Sequence, residues 1–401
     1  MQRKVLPILF ATLFLDMIGV GMVYPIFPII FTDPSSPAFL LAGYSQHWQF
    51  FIAGFVVAIG GLMQFVSAPI FGELSDIYGR KKLLILGVGL LAISQIFFGF
   101  GVQIGSLLLL LISRAVAGFA GGNFSIAQAA IADVSDPQDR AKNFGLMGAA
   151  FGLGIIVGPV LGGWLTNVTG DAGAPFWFAG VLGIVNVIFL SWLLPETNRH
   201  PRAEKSFSIW KGVHNIRDAF LDVDARPVYL SNFLYMSGFA FFTTFVGILL
   251  VNKFGFTAGG IGLFFGIVGG WVVITQGFIL RIVTHRYGEH QLLYSTLILL
   301  ALTIAIYPFL PSVAWLYAVL PLLAIAQGVS MASMSSLVSR SVSAAKQGAA
   351  LGINGSLVAL SQGIIPLFAG AASGVIGLTA PFVVGAFFIV AAWAVLFLQR
   401  R

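Results

Sequence analysis

The sequence predicts an all-α membrane protein, with twelve transmembrane helices in two six-helix halves around a central cavity. Three observations carry this prediction: composition, the distribution of basic residues, and an internal repeat. Of 401 residues, 58% are hydrophobic and 9% charged, against roughly 25% charged in soluble domains. That leaves too little polar surface to coat a globule in water. Forty-eight glycines suit helices that pack closely within lipid. Cysteine is absent, which excludes disulfides and thiolate metal sites.

A helix crossing the hydrocarbon core needs about 20 mainly apolar residues. Runs of that kind predict spans at 6–31, 48–71, 83–103, 105–130, 143–166, 174–194, 228–251, 258–281, 291–309, 313–338, 347–372 and 377–398. The first run outlasts a signal-peptide core and is read as a retained first span. Of the twenty-one Lys and Arg, nineteen fall in one family of loops, Lys253 alone falls in the other, and Arg114 lies within span four. This bias predicts a multi-pass protein with both termini cytoplasmic. The net charge of +7 is therefore topological, and nucleic acid is not an expected partner.

The longest polar stretch, 195–227, divides the chain into an N-terminal half (1–194) and a C-terminal half (228–401). Within it Ile209, Trp210, Val213, Ile216, Phe220 and Leu221 recur at helical spacing after Ser208, a candidate N-cap. A helix of that kind lies on a membrane surface or simply tethers the halves. The halves also repeat. Gly145, Gly148 and Pro159 match Gly352, Gly355 and Pro366 at a constant offset, and the loop from Gly72 has a degraded counterpart from Gly277. Repeated halves are a secondary-transporter architecture, with the substrate site between them near the midplane.

Four motifs carry more specific chemistry. In span one, Leu15-Asp16-Met17-Ile18-Gly19-Val20-Gly21 continues to Pro25 and Pro28. Its glycines permit close helix approach, and its prolines free carbonyls that neighbours re-satisfy. Asp16 lies well below the surface, where ionisable groups are costly and usually functional. After span two comes Gly72-Glu73-Leu74-Ser75-Asp76-Ile77-Tyr78-Gly79-Arg80-Lys81-Lys82, read as a basic loop with glycines at a tight turn. Span four holds Arg114-Ala115-Val116-Ala117-Gly118. A guanidinium stays protonated, so it takes an anionic or carbonyl partner inside the protein or snorkels to the surface. Span five holds Gly145 and then Gly154-Ile155-Ile156-Val157-Gly158-Pro159-Val160-Leu161-Gly162-Gly163, a kinked helix with a smooth packing face.

Together these motifs resemble the major facilitator superfamily, and within it the twelve-span drug/proton antiporters related to tetracycline exporters, over essentially the whole chain. The resemblance implies that Asp76 bridges the halves near span eleven, and that Gly72, Gly79, Arg80 and Asp133 share its gating role, with Arg80 paired to Asp133. It implies proton transfer around Arg114, and antiport rather than import for the glycine-rich span five. By family position, Asn123, Gln128, Asn232, Tyr235, Phe239, Gln276 and Asn354 are expected to face the cavity. Asp16 is the only carboxylate placed well inside the membrane and is expected to be the proton carrier, tuned by Arg114. The sequence departs from tetracycline exporters at Ser94, where they carry an aspartate, and after Asp224 its only acid is Glu289, in a loop.

The resulting expectation is a proton-coupled exporter of amphipathic, neutral or cationic drug-like molecules, in a bacterial cytoplasmic (inner) membrane. It is expected to be a monomer, to need no cofactor or metal, and to have small-molecule substrate, protons and lipid as partners. An exporter of an endogenous metabolite such as a siderophore or organic acid, a lipid or lysolipid flippase, and a passive facilitator stand beside it. The loops are too short for a catalytic domain and hold no Walker or dinucleotide fingerprint, so an enzyme is not expected.

Overall fold

The structure, a computed structural model, describes residues 2–136, 139–198, 210–221, 225–342 and 347–399. Among the described residues the regular structure is helical throughout. Span one is α1 (Gln2–Gly21) and α2 (Ile26–Thr32), followed by α3 (Gln46–Tyr78) and α4 (Arg80–Gln103). Span four is α5 (Leu107–Ala120) and α6 (Asn123–Val134); spans five and six are α7 (Arg140–Thr169) and α8 (Ala174–Leu193). After α9 (Lys211–Leu221) come α10 (Arg226–Phe254), α11 (Ala258–Ile274), a π-helical turn (Thr275–Ile279) and α12 (Leu280–Arg286). The chain then forms α13 (Glu289–Ile306), α14 (Val313–Arg340), α15 (Gln347–Ile376) and α16 (Ala380–Gln399). Twelve of the resulting helical segments are long and apolar enough to cross a membrane. Large apolar side chains such as Trp192, Leu302 and Phe387 stay exposed, as lipid contact allows.

Two spans are broken, the first where proline denies it a regular hydrogen bond. In span one, Pro25 has no N–H for the Gly21 carbonyl. The turn tightens instead, with Val23 N–H bonding the Val20 carbonyl at 3.4 Å and Tyr24 N–H the Gly21 carbonyl at 3.2 Å. The freed Gly19 carbonyl accepts from Gln95 Nε2 of α4 at 3.0 Å. Span four breaks at Gly121-Gly122, immediately before Asn123.

Two expectations about the basic loops need correction. Residues 72–78 belong to α3, so Gly72 and Asp76 lie on a helix and the turn into α4 is Gly79 alone, at φ 97°. Gly72 makes no turn, and a Cβ there would meet only Ser125 Oγ at 3.8 Å. After span eight the chain likewise stays helical to Arg286, and Glu289 opens α13 instead of lying in a loop. A polar run lowers hydropathy without ending a helix.

Contacts group the chain into two units that interleave in sequence. The first comprises Met1–Ala42, Leu62–Lys211 and Phe256–Gly266. Its core packs Leu9, Leu13, Phe71, Leu84, Val88, Ile126 and Met147. The start of α11 joins it because Gly262 lies against the Pro159 carbonyl and Gly163 against that of Ala258. The second unit comprises Gly43–Gly61, Gly212–Gly255 and Ile267–Arg401. It takes in the start of α3 through Gly61, which abuts Gln362, and Gly370, which abuts Phe50. The helix expected between the halves is present as α9; Ser208 and Ile209 lie outside the described residues. Ile216 and Ala219 of α9 pack against Tyr229, Val338 and Leu357, whereas Val213, Phe220 and Leu221 are exposed.

Candidate transport site

In the first unit, Asp16 lies on α1 with only 6% of its surface exposed. Asn186 of α8 donates through Nδ2 to Asp16 Oδ1 at 3.1 Å and to the Thr12 carbonyl at 3.3 Å. Asn123, the first residue of α6, lies close enough to interact with the carboxyl group. Neither of its amide atoms makes a well-formed hydrogen bond. Its carboxamide fills the space left by Gly87 of α4, where a Cβ would overlap it. The site is thus a carboxyl group flanked by two carboxamides, buried without a countercharge.

Arg114 is not part of that cluster, and no ion pair joins it to Asp16. Its guanidinium stacks on Phe27 of α2, 5.2 Å from the ring centroid, while its Nε is buried without a partner. Tyr24 is its electrostatic neighbour. This cation–π placement replaces both anionic pairing and simple snorkelling. Direct tuning of Asp16 by Arg114 therefore has no contact to act through.

At the basic end of the first unit, Arg80 is nearly buried and holds three partners. Its Nη1 lies 2.6 Å from Asp76 Oδ1 and donates to Ser75 Oγ at 2.6 Å, and its Nε donates to Asp133 Oδ2 at 3.0 Å. The expected Arg80–Asp133 pair is thus present, and Asp76 joins it from the preceding helical turn. Glu196 closes the Gly79 turn by accepting from the Arg80 and Lys81 backbone N–H groups at 2.9 and 3.2 Å.

The span-five glycines divide into two sets. Gly154, Gly158 and Gly162 press α7 onto the backbone of α1 around Phe14, Ile18 and Met22, and Pro159 lies against Gly21. Gly163 instead contacts Ala258 and Gly259. A Cβ at Gly145, Gly148 or Gly152 would meet nothing within 4 Å.

Of the expected cavity residues in the second unit, Asn232 donates through Nδ2 to Asn354 Oδ1, and buried Tyr235 donates to Gln327 Oε1 at 2.9 Å. Phe239 stacks on Phe242 at 6.0 Å. Gln276, in the π-helical turn, lines a cavity of about 590 Å³ with Arg281, Ser333 and Arg340. In the first unit Gln128 is exposed. Ser94 bonds only the Leu91 carbonyl of its own helix, at 2.6 Å. The residues missed by sequence reasoning are Asn186, Gln95 and Gln327. For Asn186 a signal existed, since it is the one carboxamide in the otherwise apolar 174–193 run.

Twelve apolar helical segments, with polar side chains buried at mid-helix, define a multi-pass membrane protein built for transport. The sequence model of the Major Facilitator Superfamily matches residues 9–364 and 228–401. The chain belongs to this superfamily, whose members are transporters rather than enzymes. It is 29% identical to the tetracycline resistance protein, class C, of Escherichia coli over 90% of this chain and 87% of the other. It is 30% identical to multidrug resistance protein 1 of Bacillus subtilis (strain 168), over 75% of this chain and 72% of the other. Among solved structures, the human organic anion transporter MFSD10 (TETRAN) superposes with a TM-score of 0.74 at 24% identity, covering 98% of this chain and 99% of that one. A bacterial homologue of the lysosomal transporter Spinster superposes at 0.76 and 17% identity, over 99% and 96%. These two likenesses concern the fold.

Proposed function

We propose that the protein exports amphipathic, neutral or cationic drug-like molecules by alternating access, in exchange for protons that bind Asp16. The observation that carries this reading is Asp16 itself, a mid-helix carboxyl group that is 6% exposed and paired with carboxamides rather than a cation. Charge at bilayer depth costs about 2.5–3.5 kcal/mol on insertion scales. Gain or loss of one proton there is therefore enough to bias a conformational equilibrium. The resistance proteins among its relatives support a drug-like substrate, and nineteen basic residues on one side support cytoplasmic termini in a bacterial inner membrane. In this reading the protein acts as a monomer and is driven by the proton gradient without a cofactor. The gating assignments follow the same reading, with Asp76 and Arg80 holding the basic end of the first unit.

The test is a substrate screen on inverted vesicles with an imposed proton gradient, followed by quenching of an acid-sensitive dye. Tetracycline and ethidium serve as first probes. Substrates should reverse the quench, and Asp16→Asn should abolish both reversal and uphill export. Wild-type accumulation by Asp16→Asn vesicles would refute the assignment of the proton to Asp16.

A further inference from the structure

The carboxamides around Asp16 have unequal hydrogen bonding. Asn186 is fixed in orientation, because the Thr12 carbonyl can only accept and so takes an N–H, at 3.3 Å. The same amide then donates to Asp16 at 3.1 Å, which favours the ionised carboxylate. Asn186 Oδ1 is left buried without a donor. Asn123 has neither bond made, although it is only 5% exposed. Buried polar atoms without partners are uncommon, and each calls for an explanation.

The two unmet groups of Asn123 fit two protonation states of one acid. A carboxylate needs donors, which Asn186 Nδ2 supplies and Asn123 Nδ2 can supply by turning. A protonated carboxyl carries an O–H, which Asn123 Oδ1 can accept. Among the described residues, the side chains acting on Asp16 are those of Asn186 and Asn123, and no charged group is among them. From α4, Gln95 is committed to the Gly19 carbonyl, and α7 presents Gly154 and Gly158. Arg114 is stacked on Phe27.

We infer that Asn186 and Asn123 are positioning residues for proton exchange at Asp16: Asn186 is a fixed donor that sets its proton affinity, and Asn123 is a rotatable carboxamide that follows its protonation state. This rests on the reading of Asp16 as proton carrier and moves Asn123 from the substrate cavity to the proton site. Asn123 follows directly on the Gly121-Gly122 break of span four. Its rotation is therefore transmitted to a point where the helix is already interrupted. Gly87 provides the space that the carboxamide occupies.

The experiment is a pH titration of the full-length protein in lipid, following the carboxylic C=O infrared band that disappears in Asp16→Asn. This readout needs no substrate. Asn186→Leu keeps the site buried but removes the donor, and should move the midpoint upward by about one pH unit, a tenfold change in proton affinity. Asn123→Ala should move it in the same direction. Gly87→Ala, which displaces the Asn123 carboxamide without altering it, should reproduce the Asn123→Ala shift and keeps the test open if Asn186→Leu fails to fold. Leu182→Ala, a packing change in the adjoining apolar cluster that includes Ile18, should leave the midpoint in place. Wild-type midpoints in Asn186→Leu and Gly87→Ala would overturn the inference. If the band shifts as expected but no probe reverses the dye quench, the exporter reading fails and the positioning role stands.

Discussion

The contact between α1 and α7 predicts that glycines in one helix differ sharply in what they tolerate. A Cβ on Gly158 would lie 2.5 Å from the Ile18 carbonyl oxygen and 2.7 Å from Gly21 Cα. At Gly162 the corresponding distance to the Met22 carbonyl oxygen is 2.7 Å. Ordinary carbon contacts are about 3.5–4.0 Å, so Gly158→Ala must separate the two backbones by roughly 1 Å. The obstructing atoms are main chain and cannot rotate away. Forced overpacking of this kind costs about 1–3 kcal/mol, and a gap of that width forfeits a quarter to a half of the dispersion energy of neighbouring contacts. Asp16 lies on the same helix, within the Phe14–Ile18 stretch that Gly154 contacts, so transport should fall with stability. Gly148→Ala is the internal control, since nothing lies within 4 Å of the added carbon. Thermal denaturation in one detergent should show Gly158→Ala melting a few degrees below wild type and Gly148→Ala unchanged. Equal melting and transport for wild type and Gly158→Ala would refute the packing argument.

The basic-end network should separate stability from gating. Asp133 is the less exposed partner of Arg80, at 27% of its side chain against 42% for Asp76. Asp133→Asn should therefore destabilise the fold more, by about 1–3 kcal/mol after discounting for solvent, as read by thermal denaturation. Asp76→Asn should instead alter which side of the protein is accessible. A shift of about 1.4 kcal/mol moves the population ratio tenfold, and labelling of single cysteines in this cysteine-free chain would detect it. Unchanged accessibility with normal transport would remove Asp76 from the gate. In the second unit, Tyr235→Phe strips the donor from Gln327 Oε1 at a buried site. A loss of about 1–2 kcal/mol is expected, and a melting temperature equal to wild type would show that the bond contributes nothing.

Hydropathy located all twelve spans because lipid imposes one length and one polarity on every crossing helix. It misplaced the end of span two, at 71 instead of Tyr78, because Glu73, Ser75 and Asp76 lower the average while the helix continues. Asp16 was legible since a carboxylate among apolar residues has few structural uses. Asn186 showed only as an isolated carboxamide in an apolar span, and its importance depends on which helix packs opposite. Arg114 shows the same limit from the other side. Its charge was plain, but the sequence offered an anion, a carbonyl or the surface as partners, and the structure gives it the face of Phe27. Partners come from packing between helices distant in sequence, which composition does not encode.

The breaks in spans one and four arrange the ionisable groups on separate pieces of helix. On the side of the breaks that leads to the basic end, α1 carries Asp16 and α6 begins with Asn123. On the other side, α2 carries Phe27 and α5 carries Arg114, joined by stacking at 5.2 Å. Each side thus has its own link between spans one and four, with residues 22–25 and 121–122 as the backbone joints between them. Discontinuous helices near the mid-membrane are a recurring way to place polar groups in transporters. Here the two groups lie on opposite sides of the breaks, and neither is an electrostatic partner of the other. The two joints differ in kind. Proline at 25 fixes its own φ, which stiffens the joint of span one. Glycines at 121 and 122 instead let Gln64 and Phe71 of α3 pack closely on the joint of span four, where a Cβ would meet them at 3.2 and 2.9 Å.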